Sequence, residues 1–236
     1  MQSDAASQRC EDFVRWFLSF NGYFGIENFI VHAADDSSRI ANGVVANYTE
    51  TDTLAVRMPY SREITGTLHV ANYKPLTDGL NARFDVVIAE AKSGAENKPN
   101  KAWRDKNDKI IRYLVRFVGF CESEDQIARV SSELSSKYRY EDEKFRYRYM
   151  VFSREPNDHY ESSGVTYVTY SDAIRFLVEV RGECWLNENI GVASVHYQWN
   201  PLINHIFEIA NDNSRSTEER SSEILKEIVG PSGSAS

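Results

Sequence analysis

The sequence predicts one α/β (α+β) domain, in which a mixed central β-sheet is flanked by helices. Two observations support this class. The chain has 236 residues and 42% hydrophobic content, which is enough for a real core. Segments with the two-residue period of strands alternate along the chain with segments of helical period. We place the domain at residues 8–210, followed by a polar C-terminal helix and a flexible tail over residues 211–236.

The first elements are predicted from apolar patterning and stop signals. Phe13, Phe17 and Phe20 fall on one face of a helix over residues 8–20, and Asn21-Gly22 ends it. The next elements in order are a strand over residues 23–32, an extended segment over 44–58, a polar connection over 60–81 with a short hairpin near 68–70, and an apolar strand within 82–94.

The second half of the chain mixes helices and strands. The segment Ser123 to Gln126 has the form of a capping box at a helix start, and Pro201 after Asn200 suits the first turn of another helix. The predicted elements are a helix over 101–120, the helix after Ser123, strands over 145–153 and 165–170, a helix capped at Ser171-Asp172 and reaching about 181, the helix after Asn200, and a short helix over 217–229.

Composition limits the functions of the chain. The net charge of −8 argues against a broadly basic surface, although it allows one local basic face. The three cysteines are isolated and the five histidines are scattered, so no zinc site is expected. There is no apolar run long enough to cross a membrane and no hydrophobic signal core at the N-terminus, so we expect a cytoplasmic protein without a membrane partner.

The most informative pair is Glu90 and Lys92. An acidic residue followed two positions later by lysine occurs three times, at Glu90, Glu96 and Asp142, but only the first follows a continuous apolar run. Side chains two apart on a strand point to the same face. A carboxylate and an ammonium on a face that otherwise belongs to a core need a reason, because burying unpaired charge is costly. The alternative is a surface salt bridge on a half-exposed strand.

A second acid is expected on the neighbouring strand. If residues 51–58 run antiparallel to the strand of Glu90, with paired residue numbers that sum to about 143, Asp52 lies opposite Ala91 and between Glu90 and Lys92 in projection. Glu50 shares the strand face of Asp52 and could replace it. Asp85 is a further alternative, but it differs in parity from Glu90 and should point to the other face.

These residue types suit metal-dependent hydrolysis of a phosphodiester bond. Carboxylate oxygens are the ligands that Mg²⁺ or Mn²⁺ prefers, and a bound metal ion lowers the pKa of a water ligand. A neighbouring lysine can orient the attacking water and offset charge that develops in the transition state. The sequence therefore predicts Asp52 and Glu90 as metal ligands and Lys92 as the residue that assists the water.

The order of helix, strand, Asp52, Glu90-x-Lys92, helix and strand resembles the PD-(D/E)XK nuclease superfamily, over roughly residues 10–153. The segment from Glu11 to Phe24 is similar to the first helix and strand of resolvase-like and restriction-type members. The resemblance implies a restriction-endonuclease-like αβββαβ core with extra C-terminal helices. It also implies that Asp52, Glu90, Lys92 and Glu11 are catalytic and that Asp52, Glu90 and Glu11 bind Mg²⁺.

The expected activity is that of a DNA endonuclease, and the resemblance suggests a role in defence against phage. Targeting would come from a homodimer or a protein partner. The alternative function is a catalytically inactive nuclease-fold protein that acts as an interaction or assembly subunit. The basic residues nearest the site strand would either guide a nucleic-acid backbone or solvate a helix; they are Lys98, Lys101, Arg104, Lys106 and Lys109. Arg146 and Arg148 share a strand face with Met150 and are interpreted as ordinary exposed arginines, with contact to phosphate as the alternative.

Overall fold

A computed structural model describes residues 2–32, 48–61, 64–65, 68–69, 71–80, 82–105, 108–181 and 200–230. The start of the predicted extended segment, Lys106 in the basic cluster and the predicted tail after residue 230 lie outside the described residues. Within them, no helix is long and apolar enough to cross a membrane.

Strands and helices interleave along the chain, as the sequence predicts. The strands are β1 (Tyr23–His32), β2 (Tyr48–Arg57), β3 (Ile64–Thr65), β4 (Leu68–His69), β5 (Phe84–Ala91), β6 (Arg139–Glu141), β7 (Phe145–Ser153) and β8 (Thr166–Thr169). The helices are α1 (Gln2–Phe20), α2 (Lys74–Thr77), α3 (Lys101–Arg104), α4 (Asp108–Val118), α5 (Glu124–Lys137), α6 (Asp158–Ser162), α7 (Tyr170–Phe176, continued as a π-helix over Leu177–Arg181), α8 (Pro201–Ala210) and α9 (Thr217–Val229).

Six of the described strands form one mixed sheet, which confirms the predicted fold class. The order is β1-β2-β5-β7, with β6 and β8 both pairing with β7. The pairs β1·β2 and β2·β5 are antiparallel, whereas β5·β7 is parallel. A parallel neighbour needs a crossover connection, and α3, α4 and α5 lie in the chain between β5 and β7.

Helices cover both faces of the sheet, so β5 and β7 are buried on both sides. One core packs α1, α7, α8 and α9 against Val87, Ala89 and Met150. The other packs α4 and α5 against Val86, Ile88 and the odd-numbered residues of β7. The alternation of β5 between these two cores fixes the direction of every charged side chain on it.

Three predicted helices differ from the structure, and the first is α1, which begins at Gln2 and not at residue 8. The helix expected over residues 101–120 is two helices, α3 and α4. The cap expected at Ser171-Asp172 is wrong by two residues, because the Thr169 hydroxyl accepts the Asp172 N–H and α7 begins at Tyr170. By contrast, Ser123 and Asn200 cap α5 and α8 as predicted.

Candidate active site

Glu90 is a buried carboxylate at the carboxyl end of β5. Its side chain is fully buried and lies on the sheet face that carries α4 and α5, next to Tyr149 of β7. Burial raises the pKa of Glu90 above its usual value, while Lys92, Tyr149 and the Asn100 N–H oppose the shift. An isolated carboxylate would be costly here, so these three partners account for its presence in the core.

Lys92 neutralises Glu90 from just beyond the end of β5. Its Nζ lies 2.9 Å from Glu90 Oε2 and donates to Asn100 Oδ1 at 2.7 Å. The backbone N–H of Asn100 donates to the same Glu90 oxygen at 3.0 Å. Glu90 and Lys92 therefore share a face, as the strand period predicts, and the fully buried Glu90 pairs with a Lys92 side chain that is 18% exposed, so this is not a surface salt bridge.

Asp52 lies beside Glu90 at the point where β2 and β5 stop pairing. The paired residues of β2 and β5 run from Arg57↔Asp85 to Thr53↔Ala89, so paired numbers sum to 142 and not to about 143 as assumed. Continuing this register places Asp52 opposite Glu90, one residue from the predicted position. The Asp52 carboxylate accepts the Ala91 N–H at 2.7 Å, which takes the place of a ladder hydrogen bond.

The sheet is irregular around Asp52 on its other side as well. Asn28 of β1, between two residues paired with β2, has a left-handed φ of 49°, which asparagine tolerates better than most residues. Val31 and Leu54 pack in the same core and so lie on the same face of the sheet. Val31 is paired with Thr49, however, which is an odd number of residues from Leu54 and would lie on the opposite face in a regular strand. Regular alternation is therefore broken near Asp52.

The acids of this region influence one another. Burial raises the pKa of Asp52 to about 6, and the charges of Glu90 and Glu50 add to the shift. Burial also raises the pKa of Glu11, and the Asp52 and Glu50 charges raise it further. The structure thus brings Glu11, Glu50, Asp52 and Glu90 to one end of the sheet. Glu50, the alternative first acid, is exposed.

Asp85, the other alternative to Asp52, lies near the start of β5 and away from Glu90. It is five residues from Glu90 along β5, or about 16 Å. Its carboxylate pairs with Arg146 at 2.8 Å and with Arg148 at 2.5 Å, and accepts the Tyr23 hydroxyl at 2.5 Å. Burial alone would raise the pKa of Asp85, but the two arginines hold it below its usual value.

The interpretation of these arginines as exposed is wrong. Arg146 and Arg148 are only 8% and 6% exposed. Both also donate to the carbonyl of Leu76, so the network ties α2 to β5 and β7. No local pattern indicates this burial, because an arginine pair on an alternating strand is usually solvated.

The donor set partly fits a divalent cation. Glu90 Oε1 is buried and has no hydrogen-bond partner, so one carboxylate oxygen of the hard type that Mg²⁺ prefers remains uncommitted. Asp52 supplies a second carboxylate nearby. No group of three or more His, Cys, Asp or Glu side chains among the described residues is arranged to hold a metal ion. Two carboxylates with water ligands suit Mg²⁺, which keeps several waters when bound.

Two residues of the site were missed in the sequence. Tyr149 lies on β7 next to Glu90, and Asn100 comes just before α3. The parity of β7 could have indicated Tyr149, because it falls on the face of the odd-numbered apolar residues. Nothing in the sequence indicates that the side chain of Asn100 turns to Lys92.

The basic cluster begins beside the site. Lys98, Lys101, Arg104 and Lys109 are exposed, and the first two flank the residue that contacts Lys92. Residues 98–116 contain seven Lys or Arg and two Asp in a chain of net charge −8. This segment is therefore the strongest local concentration of positive charge close to Glu90.

No protein-family model, curated protein or solved structure shows significant similarity to this chain.

Proposed function

We propose that the chain is a Mg²⁺- or Mn²⁺-dependent nuclease that hydrolyses phosphodiester bonds, with DNA as its substrate. The observation that carries the proposal is the surroundings of Glu90. Its buried carboxylate has one oxygen without a partner, a lysine ammonium 2.9 Å from the other oxygen, and the carboxylate of Asp52 on the adjoining strand. This set offers hard metal ligands and a cation in one place.

Each residue has a separate task in this proposal. Asp52 and Glu90 would hold the metal ion, which when bound supplies an acidified water and polarises the phosphorus centre. Lys92 would orient the attacking water and offset negative charge on the phosphate oxygens. Glu11 would stabilise water at the rim of the site. A role in phage defence rests on the resemblance to restriction-type nucleases alone.

The basic segment supports a nucleic-acid substrate. Lys98 and Lys101 are the exposed cations nearest in sequence to Asn100, whose Oδ1 lies 2.7 Å from Lys92 Nζ. Phosphates of a bound duplex would be drawn to these cations, because releasing condensed counterions favours such contacts. The acidic remainder of the chain would then repel DNA from other surfaces.

A cleavage assay tests the proposal. Supercoiled plasmid, linear duplex, single-stranded DNA and RNA are incubated with the protein in Mg²⁺, in Mn²⁺ and in EDTA. We expect metal-dependent cleavage of duplex DNA, reduced about 100-fold or more in Lys92→Ala. The matched control is Lys144→Ala, which alters the third acid-x-Lys pair, where the lysine is 68% exposed. Absence of cleavage of every substrate, or equal cleavage by both variants, contradicts the proposal.

A second candidate function, an interaction or assembly subunit, is favoured by the outer strand of the sheet. Within the described residues β1 pairs only with β2, and its Phe24, Ile26 and Ile30 are 70%, 48% and 48% exposed. A long edge strand with exposed apolar residues invites pairing with another chain. If β1 joins two copies, Ile26→Lys converts a dimer to a monomer in light scattering, and a monomeric wild type contradicts this candidate.

A further inference from the structure

We propose that Asn100 is the positioning residue of the site, which clamps Lys92 against one oxygen of Glu90 and leaves the other oxygen for a ligand. This inference rests on the proposed function for its catalytic consequence, but the clamp itself can be tested without any reaction. It assigns a role to a loop residue outside the acid-x-Lys motif.

The hydrogen bonds around Glu90 are unevenly distributed. Oε2 receives the Lys92 ammonium at 2.9 Å and the Asn100 N–H at 3.0 Å, and the Tyr149 hydroxyl also interacts with the carboxylate, whereas Oε1 has no hydrogen-bond partner. A carboxylate whose one oxygen is held by two donors cannot rotate freely, because rotation would break both contacts. The free oxygen therefore keeps a fixed direction, which a metal-binding carboxylate needs.

The side chain of Asn100 is committed to Lys92. Asn100 occupies the N-cap position of α3, where asparagine normally accepts a hydrogen bond from the first turn, but here it makes no such bond. Its Oδ1 instead accepts from Lys92 Nζ at 2.7 Å. Asn100 therefore holds the Lys92 ammonium and does not cap the helix.

The backbone of Asn100 is held firmly enough to act as a clamp. Its carbonyl accepts the Trp103 N–H at 3.0 Å, and Trp103 is 1% exposed with its ring 4.5 Å from that of Tyr149. The Asn100 N–H also lies 3.3 Å from the Tyr149 hydroxyl. The loop between β5 and α3 is consequently anchored to the core through Trp103 and Tyr149.

Three substitutions separate the two contacts of the clamp, which are the side-chain hydrogen bond of Asn100 to Lys92 and its backbone hydrogen bond to Glu90. Asn100→Asp keeps both the acceptor for Lys92 and the N–H for Glu90. Asn100→Ala removes only the acceptor. Asn100→Pro removes both, and the φ of −57° at this position suits proline. The control is Asn213→Ala, an exposed asparagine in the turn before α9.

The first readout is the rate at which acetic anhydride acetylates Lys92 in the metal-free full-length protein, followed by mass spectrometry. Loss of a hydrogen bond from a charged group should increase this rate roughly tenfold in Asn100→Ala and Asn100→Pro. The rate in Asn100→Asp should equal or fall below that of the wild type. Equal labelling in all variants and the control overturns the clamp, whether or not the protein cleaves DNA.

The second readout is steady-state cleavage. We expect kcat to fall roughly tenfold to a hundredfold in Asn100→Ala with KM nearly unchanged, because misplacing a catalytic group affects the chemical step. Asn100→Pro should fall further, and Asn100→Asp should recover most of the activity. A loss in Asn100→Asp equal to that in Asn100→Ala overturns the positioning role. Faster labelling of Lys92 in Asn100→Ala, with no cleavage by the wild type, would refute the nuclease proposal and leave the clamp intact.

Discussion

The carboxylate of Asp52 accepts a hydrogen bond from the backbone N–H of Ala91 at 2.7 Å, just past the last paired residues of β2 and β5. The two strands part there, and the side chain replaces the ladder partner that the backbone no longer supplies. This bond holds a carboxylate next to Glu90 in a place where burial and repulsion both disfavour its charge. Such a cost is typical of a site kept for function rather than for stability.

Removing the charge of Asp52 should therefore stabilise the metal-free protein. A carboxyl group whose pKa is raised on folding contributes stability below its unfolded pKa, and this is lost as pH rises through the folded pKa. The shift from 3.8 to about 6 sets a limit of about 3 kcal/mol. Because Asp52 is half-buried, we expect Asp52→Asn to increase the free energy of unfolding by roughly 1–2 kcal/mol at pH 7.5.

Urea denaturation in EDTA measures this gain at pH 7.5 and again near pH 4. The advantage of Asp52→Asn should shrink at the lower pH, where the wild-type carboxyl is protonated in the fold. Asp12→Asn, at a partly exposed position of α1 where the carboxylate lies 3.4 Å from Arg15, is the control. A variant less stable than the wild type at pH 7.5 would contradict the account of Asp52.

Metal binding should weaken in acid. A metal ion competes with the proton for Asp52, whose pKa is about 6 in the metal-free protein. The affinity for Mn²⁺, measured by calorimetry, should be nearly constant above pH 7 and fall by up to tenfold per pH unit below pH 6. Asp52→Asn should bind Mn²⁺ more weakly, and its affinity should no longer show this fall below pH 6. An affinity that is the same at pH 5 and pH 7 would argue against Asp52 as a ligand.

The Asp85 network should be essential for folding. Asp85→Asn leaves Arg146 and Arg148 buried without their counterion, which costs about 3–5 kcal/mol. Thermal unfolding of the full chain measures the loss. The milder Tyr23→Phe removes one hydrogen bond to the same carboxylate and should cost about 1 kcal/mol with cleavage retained. Loss of cleavage in a folded Tyr23→Phe protein would link this network to the chemistry.

The basic segment should control affinity for DNA. We expect Lys98→Glu with Lys101→Glu to weaken binding of a duplex in EDTA at least tenfold and to reduce the slope of log K against log salt by about 2. The charge-matched control, Lys74→Glu with Lys226→Glu, alters exposed lysines on α2 and α9. Fluorescence anisotropy measures both. Equal affinity of the two double variants would rule out this segment as the DNA contact.

The elements that the sequence predicted best are those with strong periodicity. The alternation of β5 correctly placed Glu90 and Lys92 together and Asp85 on the opposite face, because side-chain direction on a regular strand depends only on parity. The register between β2 and β5 was wrong by one residue, since the connection between them contains a hairpin and α2, whose geometry the sequence does not fix.

The rest of the site depends on contacts between distant residues. The irregularity at Asn28 and Asp52 interrupts the very alternation from which faces are predicted. The side chain of Asn100 binds Lys92 and does not cap α3, whereas the propensity of asparagine for the N-cap position alone would predict a cap. The burial of Arg148 follows from Asp85, a partner 63 residues away in sequence that no local pattern reveals.

The most direct test of the central claim is the position of a bound metal ion. Crystals of the full chain soaked in Mn²⁺ and measured by anomalous diffraction should show an ion held by Asp52 and by Glu90 Oε1, with Lys92 still paired to Oε2. Asp52→Asn crystals treated identically serve as the control. Absence of an ion at these carboxylates at saturating Mn²⁺, or an ion bound only elsewhere, would contradict a metal-dependent active site at this end of the sheet.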